Sequence, residues 1–138
     1  MLQGLPKVST GHFSDKDWSH CLRLAQAEVE ATLRSLPAEL RAAARKVALT
    51  YEHVPNADLI ADGIEPDTLG LFVGDPWADS VQGRQPIPSQ IILFLQNIWE
   101  LAEGEEEFFK EETHATLMHE LGHYLGLDED DLDERGLA

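Results

Sequence analysis

The sequence predicts an α+β fold, a single small domain spanning residues 1–138. Three observations lead there. Apolar residues recur at helical spacing in two long segments, one near each end of the chain. Between them lie three short runs with strand character, the first two stopped by Pro or Gly. No internal repeat or second apolar cluster breaks the pattern, and 138 residues bury one core comfortably but not two.

The elements follow in order. Residues 1–13 form a polar, flexible lead. Ser14 has the character of an N-cap, with Asp15 and Asp17 in the first turn, where the helix dipole favours acids. Trp18, Leu22, Ala25, Val29, Leu33 and Leu36 then share one face of a helix from Asp15 to Leu36, and Pro37 ends it. A short helical turn is expected over Ala38 to Ala44. Val47, Leu49 and Tyr51 alternate with Ala48, Thr50 and Glu52, which predicts a half-buried strand stopped by Pro55. Asn56 to Thr68 reads as an acidic loop. Leu69 to Val73 is a second strand ended by Gly74, and Trp77 to Ser89 is a loop. Gln90 to Gln96 is the most apolar strand, with a helical turn around Ile98, Trp99 and Leu101 directly after it. A long helix opens at Glu105 and runs to Leu125, where Gly126 stops it. The acidic tail from Asp128 makes one more turn.

Composition narrows the function. The 26 acids against 10 Lys and Arg give a net charge of −16, which repels phosphate backbones and argues against nucleic acid and anionic membranes. A basic peptide or protein suits that surface better. No stretch approaches the roughly 20 apolar residues of a membrane helix. Met1 to Phe13 lacks the apolar stretch of a secretory leader, and the one cysteine, Cys21, can form no internal disulfide. A cytoplasmic protein with a buried, inert thiol is expected.

The chemistry lies in His119-Glu120-Leu121-Gly122-His123, an H-E-x-x-H pattern inside the last helix. Four residues turn a helix about 40° past one full turn, so both imidazoles project from one face and can grip one Zn²⁺. Glu120 sits at the neighbouring edge as general base. Neutral imidazoles leave the metal a good Lewis acid, and a carboxylate beside it can take a proton from water and hand it to a leaving amine. Two solvent-facing histidines paired with tail acids would explain His119 and His123, but not the Gly126 and Glu129 that follow them. Gly126 lets the chain leave through a left-handed turn, so that a residue three further on can swing back toward the metal. Glu129 holds that favoured position for a third ligand, with Asp128 and Asp130 as alternatives. Three protein ligands would leave one position open, as in catalytic rather than structural sites.

The other histidines rank lower. His114 lies about 140° around the helix from His119, too far to share its metal, and reads as a surface residue. His53 ends the first strand, His12 and His20 carry no role, and Tyr51, Tyr124, His53 and Arg84 are candidate donors to a transition state.

His119 to Glu129 resembles the extended zincin signature H-E-x-x-H-x-x-G-x-x-(H/D/E). From Ser14 to Gly136 the chain resembles the minimal-zincin family of small bacterial zinc-metallopeptidase-type proteins. The segments Leu36–Arg41, Leu69–Gly74 and Ile87–Ile98 carry the likeness beyond the motif. The resemblance implies a zincin-like fold, a small mixed sheet packed against an N-terminal helix and a C-terminal active-site helix. It also implies that Ile91–Leu95 is an edge strand bordering the cleft, there to pair with an extended peptide. His119, His123 and Glu129 would hold zinc and Glu120 would act as base. The usual second lobe of such enzymes is missing. Two functions therefore compete: a zinc peptidase, and a zinc-binding module that recognises a protein partner without hydrolysis. A metal-free acidic interaction protein is a third.

Overall fold

A computed structural model of the chain describes residues 12–75 and 88–136, with the side chain of Glu129 outside that description. The flexible lead expected at 1–13 therefore lies outside the described residues apart from His12 and Phe13. The expected loop at 77–89 does so apart from Pro88 and Ser89.

The chain opens with helix α1, Asp15–Ser35, started by a reciprocal cap. Asp17 N–H donates to Ser14 Oγ at 3.0 Å, and Ser14 N–H donates to Asp17 Oδ2 at 3.1 Å. Leu36 is extended, as a residue before proline prefers. Helix α2, Ala38–Ala44, follows at once. Strand β1 is Ala48–Glu52, and the segment expected as an acidic loop contains a short helix α3, Ala57–Ala61. Asn56 supplies its cap, Oδ1 accepting Leu59 N–H at 2.9 Å, a local signal within an otherwise acidic segment. Strands β2, Gly70–Val73, and β3, Gln90–Phe94, complete the sheet. Helix α4, Leu95–Leu101, starts with no loop after β3, so that strand ends earlier than the apolar run suggests. Helix α5, Glu106–Leu125, carries the motif, and helix α6, Glu129–Glu134, is the turn expected in the tail.

The described sheet is mixed and has the order β1-β3-β2. Strand β3 pairs parallel with β1 in the register Leu49 to Ile91, and antiparallel with β2 in the register Phe72 to Ile91. It is therefore central, which corrects the expectation that Ile91–Leu95 forms an edge. The physical reason lies in the run itself: Ile91 through Leu95 are all buried, and a strand covered on both faces and paired on both sides reads as uninterrupted apolar sequence. Among the described strands, the edge beside the motif helix is β2. Phe94 N–H donates to Leu69 O at 2.9 Å, which fixes the alternation along this antiparallel pair. The backbone groups of Gly70 and Phe72 consequently point away from β3.

The core gathers Cys21, Ala25 and Val29 of α1, Ile91 and Leu93 of β3, Ile98 of α4, and Phe109, Leu117 and Leu121 of α5. Helix α5 packs against β2, β3, α1, α2, α4 and α6. It is consequently buried almost all round, leaving an exposed stripe of Glu111, Ala115, His119 and His123. No helix among the described residues is long and apolar enough to cross a membrane.

Candidate metal centre

The four-residue spacing of that stripe is the spacing of one helix face, and it presents both motif histidines to solvent. Their ring centroids lie 4.7 Å apart with the planes inclined at 56°. Nitrogens around one tetrahedral zinc stand about 3.3 Å apart, a spacing that adjacent rings at this separation reach by turning their edges inward. Two imidazoles, uncharged when metal-bound, on a rigid and otherwise buried helix suit zinc as donors.

Glu120 points the other way. It is 7% exposed and lies between the helix and strand β2. Its Oε1 is 3.8 Å from His123 Nδ1. Burial pushes its carboxyl above the ordinary carboxylate range, while His123, His119 and the backbone N–H of Phe72 pull it partly back. That N–H is one of the two groups turned outward along the edge of β2. Gly70 makes the approach possible, since a β-carbon there would sit 2.6 Å from Thr116 Cγ2 and 3.3 Å from Glu120 Cγ. An isolated glycine within an apolar strand often marks such a close approach, and Gly70 is the signal the sequence reading passed over.

Beyond the motif, Gly126 adopts φ 76°, ψ 27°, the left-handed cap expected of it. Leu127 N–H returns to Gly122 O at 2.8 Å, and α6 begins at Glu129. The reversal opens a cleft of about 510 Å³ lined by His119, His123, Gly126, Leu127, Asp128 and Asp131 among others. Asp128 is engaged as the cap of α6, its Oδ1 accepting Asp131 N–H at 2.8 Å. Among the described residues no three His, Cys, Asp or Glu side chains converge on one point, and the Glu129 side chain is not among them.

These features coincide with a family pattern covering residues 44–137, more than half of the chain, described as zincin-like metallopeptidase. The chain belongs to that family. No curated protein matches it.

The remaining candidates separate by place. His53 stacks on Trp18 at a centroid distance of 4.1 Å, with Phe13 at its edge, and so belongs to the α1 side. Tyr51 is on β1, two strands from β2 and hence roughly 10 Å from that edge. Tyr124 is buried with its ring 5.9 Å from Phe72, beneath the edge strand, and burial raises its hydroxyl pKa. Arg84 lies outside the described residues. His114, expected at the surface, has a side chain 39% exposed and also ties α5 to α1: its Nδ1 is 2.8 Å from Thr32 Oγ1. Cys21 is fully buried and its thiol is pushed up to about 12, chiefly by burial.

Proposed function

We propose that this zincin-like protein is a zinc-dependent peptidase acting on extended, preferentially basic peptides. The observation that carries the reading is the position of Glu120, buried at the seam between the histidine-bearing helix α5 and strand β2, the edge of the sheet among the described strands. A bound Zn²⁺ would supply a Lewis acid and an acidified water near neutral pH. His119 and His123 are the ligands, with Glu129 as the third. Asp128 is already committed to capping α6, and Glu129 holds the motif position three residues after Gly126, which favours Glu129.

Glu120 takes the proton of the attacking water and returns it to the leaving amine. Its raised pKa brings it closer to the operating range of a general base. The outward N–H and C=O of Gly70 and the C=O of Phe72 offer an extended peptide a place to pair, so the substrate carbonyl can lie alongside Glu120, whose carboxyl already takes Phe72 N–H. The net charge of −16 draws basic substrates toward the cleft. A reducing compartment, the cytoplasm, suits a chain whose one cysteine is buried without a disulfide partner.

Elemental analysis of protein purified without chelators, alongside His123→Ala and Glu120→Gln, tests the reading. About one zinc per chain is expected in wild type and in Glu120→Gln, with loss in His123→Ala. Cleavage of a basic peptide library should vanish in both variants, and cleavage retained by Glu120→Gln would overturn the mechanism.

One observation favours a second reading, a zinc-binding recognition module. The His123 side chain is 55% exposed, and the described residues build no second wall over it to exclude water. That reading expects zinc removal to lower the melting temperature and partner binding, with the library left uncut by wild type.

A further inference from the structure

The segment after the motif holds one backbone position from three directions. Leu127 N–H is bonded to Gly122 O at 2.8 Å, so the chain folds back against the last turn of α5. The fit is close: a β-carbon on Gly122 would stand 2.8 Å from Leu127 O and 3.5 Å from Leu132 Cδ1. Leu132, 5% exposed, anchors α6 in the core. Asp128 and Asp131 then cap each other. Asp131 N–H donates to Asp128 Oδ1 at 2.8 Å, and Asp128 N–H donates to Asp131 Oδ2 at 3.0 Å. Residue 129 is the first residue of α6 and lies inside that reciprocal loop. Both aspartates line the cleft that also holds His119 and His123.

A helix of six residues is too short to hold itself together, so its cap and its anchor must do so. Helix α6 contributes little to the core beyond Leu132. Its box nevertheless uses two carboxylates and is completed on the side facing the metal-binding histidines.

We propose that Asp131 is a positioning residue for the metal centre: by closing the reciprocal cap with Asp128, it fixes the backbone of residue 129 beside His119 and His123. The inference rests on Glu129 as third ligand. Asp131 itself does not touch the metal. What matters is its acceptor oxygen, not its charge, and the two can be separated. Asp131→Ala removes both, whereas Asp131→Asn removes the charge and keeps an acceptor for Asp128 N–H. Asp128→Ser keeps the cap of α6 and removes a competing ligand.

The measurement is competition for Zn²⁺ alone against a chromophoric chelator, with circular dichroism of the metal-free proteins as control. Asp131→Ala is expected to bind zinc roughly tenfold more weakly, the scale seen when the support of a ligand is lost. Asp131→Asn and Asp128→Ser are expected to stay within about twofold of wild type on the same scale. The visible bands of the cobalt-loaded Ala variant should shift while those of the Asn variant do not, a change that loss of stability alone would not produce. Wild-type affinity in Asp131→Ala overturns the proposal. Equal loss in the Ala and Asn variants also overturns it, in favour of charge. A large loss in Asp128→Ser makes Asp128 a ligand and overturns it too. Each of these outcomes leaves zinc binding by the wild-type protein intact, whereas wild-type protein that takes up no zinc overturns the metal reading and this inference together.

Discussion

Thr116 Cγ2 stands 2.6 Å from where a β-carbon on Gly70 would have to sit. Helix α5 and strand β2 therefore meet as closely as their backbones allow, and Glu120, the base proposed for the centre, lies beside that contact. Gly70→Ala should wedge them apart at a cost of about 1–3 kcal/mol, the usual penalty for overpacking. The control removes the other partner. Thr116→Ser deletes Cγ2, so the double variant should recover part of the melting temperature lost by Gly70→Ala. Strict additivity of the two single changes would show that this contact is not what limits the approach.

The charge on Glu120 should weaken the metal-free fold at neutral pH. Its carboxyl is raised in the folded state, chiefly by burial, above its unfolded value. Folding thus favours the protonated form. The penalty is absent below the unfolded pKa, grows as pH rises through the window between the two values, and is full above the folded one. Metal-free Glu120→Gln should accordingly be more stable than wild type at pH 7, with the difference closing as pH falls through the ordinary glutamate range. Denaturant titrations across that range would measure it, and a pH-independent difference would contradict the assignment.

Asn97 holds the approach to the edge strand. Its Nδ2 donates to Pro66 O at 2.8 Å and Thr68 O at 2.9 Å, from a side chain buried beneath them. Asn97→Ala should cost about 2 kcal/mol for two lost bonds. Asn97→Asp should cost more, because it turns a carboxylate toward two carbonyls. Melting curves would rank the three proteins, and equal stability of the Ala and Asp variants would argue that the amide donors are not the important feature.

Cys21 should be silent toward thiol reagents in the native protein. Its thiol moves from an ordinary 9.0 to about 12, through burial first and Asp17 second. The thiol is protonated in both folded and unfolded chains at pH 7, so it adds no pH dependence there. Stability should fall only as pH rises above the unfolded value. Alkylation that is slow in buffer and fast in denaturant would bear this out; fast native labelling would show that the α1 packing opens.

Local patterns carried most of the element assignments. Ser14 with Asp17 announced the start of α1, Pro37 its end, and Gly126 the left-handed exit from α5. Each is a short-range steric or hydrogen-bonding requirement, satisfied within a few residues of itself. The helix α3 escaped because its one clear signal, Asn56, sat among acids that read as loop.

Sequence alone determined that His119 and His123 share one helix face, because helical geometry converts a spacing of four into a common direction. It also determined that Ile91 to Phe94 would be buried, since nothing polar interrupts the run. It could not determine which strand lies at the edge, because an apolar run is equally consistent with several strand orders and only long-range pairing selects one. Only the tertiary structure placed β3 in the centre and β2 beside α5. That placement buries Glu120 under Phe72 N–H and leaves both histidines exposed, since contacts between residues some fifty positions apart are set by packing and not by local spacing.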